Sequence, residues 1–245
     1  MEPRPTGWSV GPHHLHQSPS SGRRRVAEAP SSRDKILDVA EALFARRGFA
    51  GIGLREVADS SGLSKSALFH HFRSKEQLYH EVILRVLLRI RERFDADTAS
   101  TDSPRAQLER WIEDLIDTFA EHPTIPRLLL RSLFEEEEAL APEAEVCEAQ
   151  LATILGDAER LIRRGIECGE LRRVSTPHTL LTLIGVIVFH FASGEMGERI
   201  LGRPLFSAEE VARRKREVIG LLRHGLFQRA NEEPGTSKSR AGGSS

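Results

Sequence analysis

The sequence predicts an all-α protein of about nine helices. Three observations lead there. No stretch alternates apolar and polar residues as a strand would, and no Asn-Gly hairpin signal occurs. Apolar residues recur at helical spacing in one segment after another. Aromatic residues make up only 6% of the chain, which favours an aliphatic, helix-rich core.

The elements follow in order. Residues 1–30 are rich in Pro, Ser, Gly, His and Arg, lack an apolar period and read as a disordered tail. In that tail Arg23, Arg24 and Arg25 form either a basic arm for DNA or a solvated run. His13, His14 and His16, with no carboxylate or cysteine beside them, make a poor metal site. The first helix spans 31–47: Ser31 and Asp34 have capping-box spacing, and Ile36, Ala40, Leu43 and Phe44 form its apolar stripe before Gly48. A second helix covers 54–60 and a third 65–72, capped by Ser64. Ser74 and Gln77 cap a fourth, which carries Leu78, Val82, Val86 and Ile90 to about residue 94. The polar stretch 95–103 reads as a seam. Ser103 followed by Pro104 starts a fifth helix, with Trp111, Leu115, Ile116 and Phe119 inward, stopped at His122 and Pro123. A short helix over 124–134 precedes an acidic, solvated run at 135–138. A long helix spans 142–169 with Gly169 as its cap. The next, about 177–193, is apolar nearly all round. Ser207 and Glu210 cap the last, to about 228, and 231–245 read as a disordered tail. These elements divide into an amino-terminal segment, 31–94, and a helical body, 95–230.

Residues 53–75 carry the most information. Ala58 is small enough for a second helix to cross close to the first. Gly62, four residues later, sits where a three- or four-residue turn needs a left-handed backbone. Leu63 and Leu68 return apolar contacts to Val57 and Leu54. These offsets describe a helix-turn-helix, whose second helix enters the DNA major groove.

Over residues 33–80 the chain resembles the TetR (tetracycline-repressor-like) family of bacterial transcription regulators. The phrases VAEALFARRGF, REVADSSGLSKSALFHHF and SKEQL stand in that family's order and spacing. The resemblance implies an obligate dimer, a three-helix DNA-binding head and a body that holds a small-molecule effector. Two departures stand out. At Ile52 and Gly53 the family usually has Thr or Ser, so a capping hydroxyl that contacts phosphate is missing. At Phe69 it usually has Tyr, so a phenolic bond to the DNA backbone is missing too.

On this reading, Lys65 reaches guanine from the start of the third helix, with Ser64, Ser66 and Ala67 beside it, the last against a thymine methyl. Arg55 is a base or phosphate reader. The resemblance assigns Phe69 and His71 to the backbone, and His70 lies next to them. Lys75 stands at a positive helix end, which a phosphate partner would explain. His70 and His71 point about 100° apart on a helix, which disfavours a zinc site. Two heads in a dimer span half-sites about 34 Å apart or a multiple of that, so the operator is a pseudo-palindrome. The helices at 177–193 and 208–228 are the expected dimer contacts, because a helix apolar all round needs cover on every side.

The charge distribution agrees. Residues 1–94 hold 16 Lys+Arg and 10 Asp+Glu; the rest holds 19 of the 35 basic and 26 of the 36 acidic residues. One end suits phosphates and the other does not. Cys147 and Cys168, about 30 Å apart if one helix joins them, are no disulfide framework. That points to a reduced, cytoplasmic chain; a redox link between subunits is the other reading. No signal-peptide order opens the sequence, and the most apolar run, 180–192, falls short of the ~20 residues a membrane span requires.

The effector is expected to be a small, mostly apolar molecule in a pocket lined by Trp111, Phe119, Phe134, Phe189 and His190, with His178 as a further polar handle. No cofactor or metal is called for. The rival classes are an enzyme, for which no nucleophile elbow, phosphate loop or dinucleotide turn is present, and an all-α dimeric adaptor or activator without effector-induced release.

Overall fold

The computed structural model of the chain describes residues 31–98, 102–134 and 142–227. The expectations for the two tails and the acidic run at 135–138 lie outside these residues. Ten helices are present among them: α1 (Ser32–Arg47), α2 (Leu54–Ser60), α3 (Lys65–His71), α4 (Lys75–Thr98), α5 (Pro104–Glu121), α6 (Thr124–Ser132), α7 (Pro142–Glu167), α8 (Thr176–Ala192), α9 (Glu195–Leu201) and α10 (Ala208–Gly225). No strand forms among the described residues; a single β-bridge joins Leu171 to Phe227.

The caps act where their residue types predict. Ser31 accepts from the Asp34 amide while the Asp34 carboxylate accepts from the Ser31 amide, a complete capping box. Ser103 accepts from the Ala106 amide with Pro104 opening α5, and Ser207 accepts from the Glu210 amide. At α4, Ser74 accepts from the Gln77 amide, but Gln77 Oε1 accepts from the Arg73 amide, one residue outside the usual box.

Two boundaries differ from expectation. α4 runs to Thr98, four residues into the expected seam, because nothing before Pro104 forbids helix and Asp or Thr costs only tenths of a kcal/mol at each position. α9 is an element that periodicity missed. Seven residues are too short for a clear stripe, and the helix is defined instead by its ends: Gly194 (φ +56°) before it and Gly202 (φ +69°) after it.

One buried cluster runs from Ile36 in α1 through Phe44, Val57, Leu68, Leu78 and Val86 to Trp111, Phe119, Ile162 and Phe191. α1 therefore shares its core with the body rather than standing apart. A polar tie reinforces this. The carboxylate of Glu41 (5% exposed) accepts from Arg85 Nη2 at 2.7 Å, Arg89 Nη1 at 2.9 Å and Thr124 Oγ1 at 2.7 Å. Those donors come from α4 and from the first residue of α6. Arg131 Nη2 adds a bond from α6 to the Arg46 carbonyl near the end of α1 at 3.1 Å.

α8 does not conform to a helix buried on all sides. Leu180, Leu183, Ile187 and Phe191 face the core, while Leu181 is 69% and Phe189 55% exposed. No single helix among the described residues is long and apolar enough to cross a membrane.

Candidate nucleic-acid interface

The turn between α2 and α3 has the geometry its sequence demands. Gly62 adopts φ +70°, Ala58 is fully buried, and the Leu63 amide donates to the Ala58 carbonyl at 3.0 Å. Leu68 and Phe72 are fully buried, fixing the inward face of α3. Ser64 caps it by accepting from the Ala67 amide at 3.2 Å, and its hydroxyl lies 2.9 Å from that of Ser66. With the inward face set, Lys65, Ser66, Phe69 and His70 are left exposed, and Ala67 and His71 half-buried. Arg55, on α2, is exposed as well, 4.0 Å from Asp59. Lys65, Ser66, Phe69 and His70 thus stand together on the outer face of one short helix.

Two cations of this surface rest on aromatic rings. Lys65 Nζ lies 5.5 Å from the Phe69 ring centroid, and Lys75 Nζ 4.0 Å from that of Phe49. The second contact supplies Lys75 with an intramolecular partner at the positive end of α4, where a phosphate alone was expected. Phe49 closes the VAEALFARRGF phrase directly after the Gly48 helix stop, but nothing in the sequence marks it as a partner of Lys75. His70 and His71 meet edge-on at 5.5 Å between ring centres. Gly53 caps α2 without a side-chain bond, and Ile52 is buried, so neither offers the hydroxyl other family members place there.

The five residues expected around an effector do not converge. Trp111, edge-on to Phe94, lines a cleft of about 370 Å³ with Gln107, Leu161 and Arg164. Phe189 and His190 line a different hollow of about 560 Å³ between α8, α9 and α10, with Arg214 and Ile200. Phe119 is fully buried against Phe191, and Phe134 is 79% exposed just beyond the end of α6. His178 is exposed, its Nδ1 2.8 Å from the Ser175 hydroxyl. Burial, with the Arg214 charge behind it, pushes the His190 pKa down to about 4, so the imidazole is neutral at neutral pH.

A helix-turn-helix with a cation-bearing outer helix, joined to an all-helical body, defines a DNA-binding transcription regulator rather than an enzyme. Two family models match in succession: "Bacterial regulatory proteins, tetR family" over residues 36–82 and "Tetracyclin repressor-like, C-terminal domain" over 104–222. The chain belongs to the TetR family. Among curated relatives, the transcriptional repressor KstR2 of Mycolicibacterium smegmatis is 42% identical over 57 residues, which is 23% of this chain and 28% of that protein. The transcriptional regulator AcrR of Shigella flexneri is 28% identical over 199 residues, covering 78% of this chain and 88% of that one. The solved structure of the ketosteroid transcriptional regulator KstR2 of Mycobacterium tuberculosis superposes with a TM-score of 0.68 at 19% identity, covering 82% of this chain and 98% of that one. The likeness extends across head and body, whereas the KstR2 sequence match spans little more than a quarter of that relative.

Proposed function

We propose that the chain is a cytoplasmic, dimeric repressor that binds a pseudo-palindromic operator through two copies of α3 and is released by a small-molecule effector. Residues 31–94 serve as the DNA-binding module and 95–230 as the effector-binding and dimerisation body. The observation that carries the dimer is one uncovered apolar face. Leu181 and Phe189 on α8, Met196 and Ile200 on α9, and Leu221 on α10 are 46–76% exposed. An ideal Cβ at Gly185 or Gly220, on the same two long helices, would meet nothing within 4 Å, which leaves room for a partner helix to approach closely. Water-exposed side chains of this size in one region favour burial against a second copy. Repression is the mode named for the KstR2 relative. An activator or adaptor that keeps its grip on DNA when an effector binds is the alternative.

Arg55, Ser64, Lys65, Ser66, Ala67, Phe69, His70, His71 and Lys75 form the DNA contact surface, with Lys65 the main base reader. Duplexes enriched from a random pool on the purified protein are expected to carry inverted repeats. Lys65→Ala is expected to weaken the enriched site by about 1–3 kcal/mol per half-site and to relax one base position. Binding to arbitrary duplex should change far less. Enrichment of sites without dyad symmetry, or a monomer in solution, overturns the reading.

The effector lies at the Trp111 cleft, or at the His190 hollow where the partner copy would share its Phe189, Met196 and Ile200 wall, and acts by binding the DNA-free state more tightly than the DNA-bound state. Titrating ligands into the operator complex tests this; release by none of them would leave the adaptor or activator reading.

A further inference from the structure

We propose that Phe49 is a positioning residue for DNA binding: its ring holds the Lys75 ammonium at the amino end of α4, set to meet a phosphate. The inference rests on Lys75 being a phosphate contact, as proposed above.

Lys75 is the first residue of a 24-residue helix, where the aligned peptide dipoles repel a cation. The ring 4.0 Å from its Nζ offsets that repulsion, since the face of a phenyl ring carries the negative lobe of its quadrupole. That ring is itself fixed. Phe49 stacks on Phe44 (6.4 Å between centroids, 27° between planes) and meets Tyr79 edge-on (5.1 Å, 70°), and Phe44 meets Tyr79 edge-on in turn (5.1 Å, 84°). Phe44 and Tyr79 are buried, at 0% and 1% exposed. Phe49 belongs to the turn after α1, whereas Tyr79 stands one helical turn beyond Lys75 on α4. The contact therefore crosses between two elements and fixes the lysine against the head's own core. A lysine gives up rotamer freedom when it docks on a phosphate. Resting on a rigid ring, Lys75 has given up part of it before DNA arrives. The Lys65–Phe69 contact is looser, at 5.5 Å, and lies within one exposed helix.

The test uses the full chain with Phe49 replaced by mono-, tri- and pentafluorophenylalanine, which keep the ring's shape while weakening and then reversing its quadrupole. Affinity for a labelled duplex of arbitrary sequence is measured over a series of salt concentrations. Lys75→Met, alone and with each fluorinated ring, completes a double-mutant cycle. Affinity is expected to fall stepwise with fluorine, about two- to fivefold per bound head in all, with thermal unfolding showing every variant still folded at the assay temperature. In the Lys75→Met background the steps vanish, and Lys75→Met alone lowers the slope of log affinity against log salt by about 1 per bound head. Equal affinity across the fluorine series, with the Lys75→Met slope lowered, overturns the role of Phe49 and leaves the phosphate contact standing. An unchanged slope in Lys75→Met overturns both.

Discussion

Glu41→Leu is expected to destabilise the protein by about 3 kcal/mol, with a fall in Tm of roughly 6–12 °C for a chain of this size. Glu41 is nearly sealed from water and accepts three hydrogen bonds from two other helices. Removing the carboxylate strands the Arg89 guanidinium and the Thr124 hydroxyl that were placed to meet it, and leaves Arg85 with Asp38 alone, 2.8 Å from its Nη1. Breaking one side of a buried pair costs about 3–5 kcal/mol; the low end applies because the Arg85 and Arg89 side chains keep 20% and 27% of their exposure and can recruit water. Thr124→Val, which removes a single neutral donor, should cost only about 1 kcal/mol. Thermal unfolding of the two variants checks both; a Glu41→Leu protein as stable as the parent would show that the tie is not structural.

The same group predicts the acid response. Burial by itself would raise the Glu41 pKa, but the bonds from Thr124 and Arg85 and the charges of Arg89 and Arg85 outweigh it and hold the carboxyl below its ordinary 4.5. A carboxyl with a depressed folded pKa adds stability that is complete above the unfolded value and is lost as pH falls through the folded one. His190 works in a higher window. Its folded pKa of about 4 lies below the ordinary 6.5, so the native state resists protonation and loses stability as pH drops from 6.5 towards 4. Stability against pH should therefore decline in two stages, and His190→Gln should remove the first while leaving the second. A single decline confined below pH 4.5 in the parent would count against the buried, neutral histidine.

How much of this was legible beforehand depended on the range of the interaction involved. Caps and turn are local: Ser31 with Asp34, Ser64 with Ala67 and the left-handed Gly62 are all settled within five residues, and each appears where its residue type requires. The exposed face of α3 was readable for the same reason, since Leu68 and Phe72 at helical spacing dictate which side is turned out. Contacts set by the approach of distant segments were not. Glu41 and Thr124 are 83 residues apart, and no periodicity marks a glutamate on an apolar stripe as the meeting point of three helices. Nor does a list of aromatic residues say which will share a cavity. Trp111 and His190 ended in separate hollows because α5 and α8 turn their aromatic positions to different neighbours. The Phe49–Lys75 contact belongs to the same class, created by the packing of the first turn against α4.

Placing a charge on the uncovered face should have the largest effect on DNA binding. Phe189→Asp or Leu221→Asp is expected to yield a folded monomer whose operator affinity falls by about 100-fold or more. A lone α3 reads few base pairs, and linking two heads raises the effective concentration of the second; losing that linkage costs about 10²–10⁴ in avidity. The monomer should keep its fold, because both side chains are more than half exposed and contribute little to its own core. Leu133→Asp is the matched control: Leu133 is 64% exposed at the end of α6 and lines neither of the hollows formed by α8, α9 and α10, so the same charge there should leave the dimer and its affinity intact. Light scattering gives the mass and binding to an inverted repeat gives the affinity. If Phe189→Asp and Leu221→Asp stay dimeric while Leu133→Asp dissociates, the subunits meet elsewhere, and α8 to α10 would need another explanation for so much apolar surface left in water.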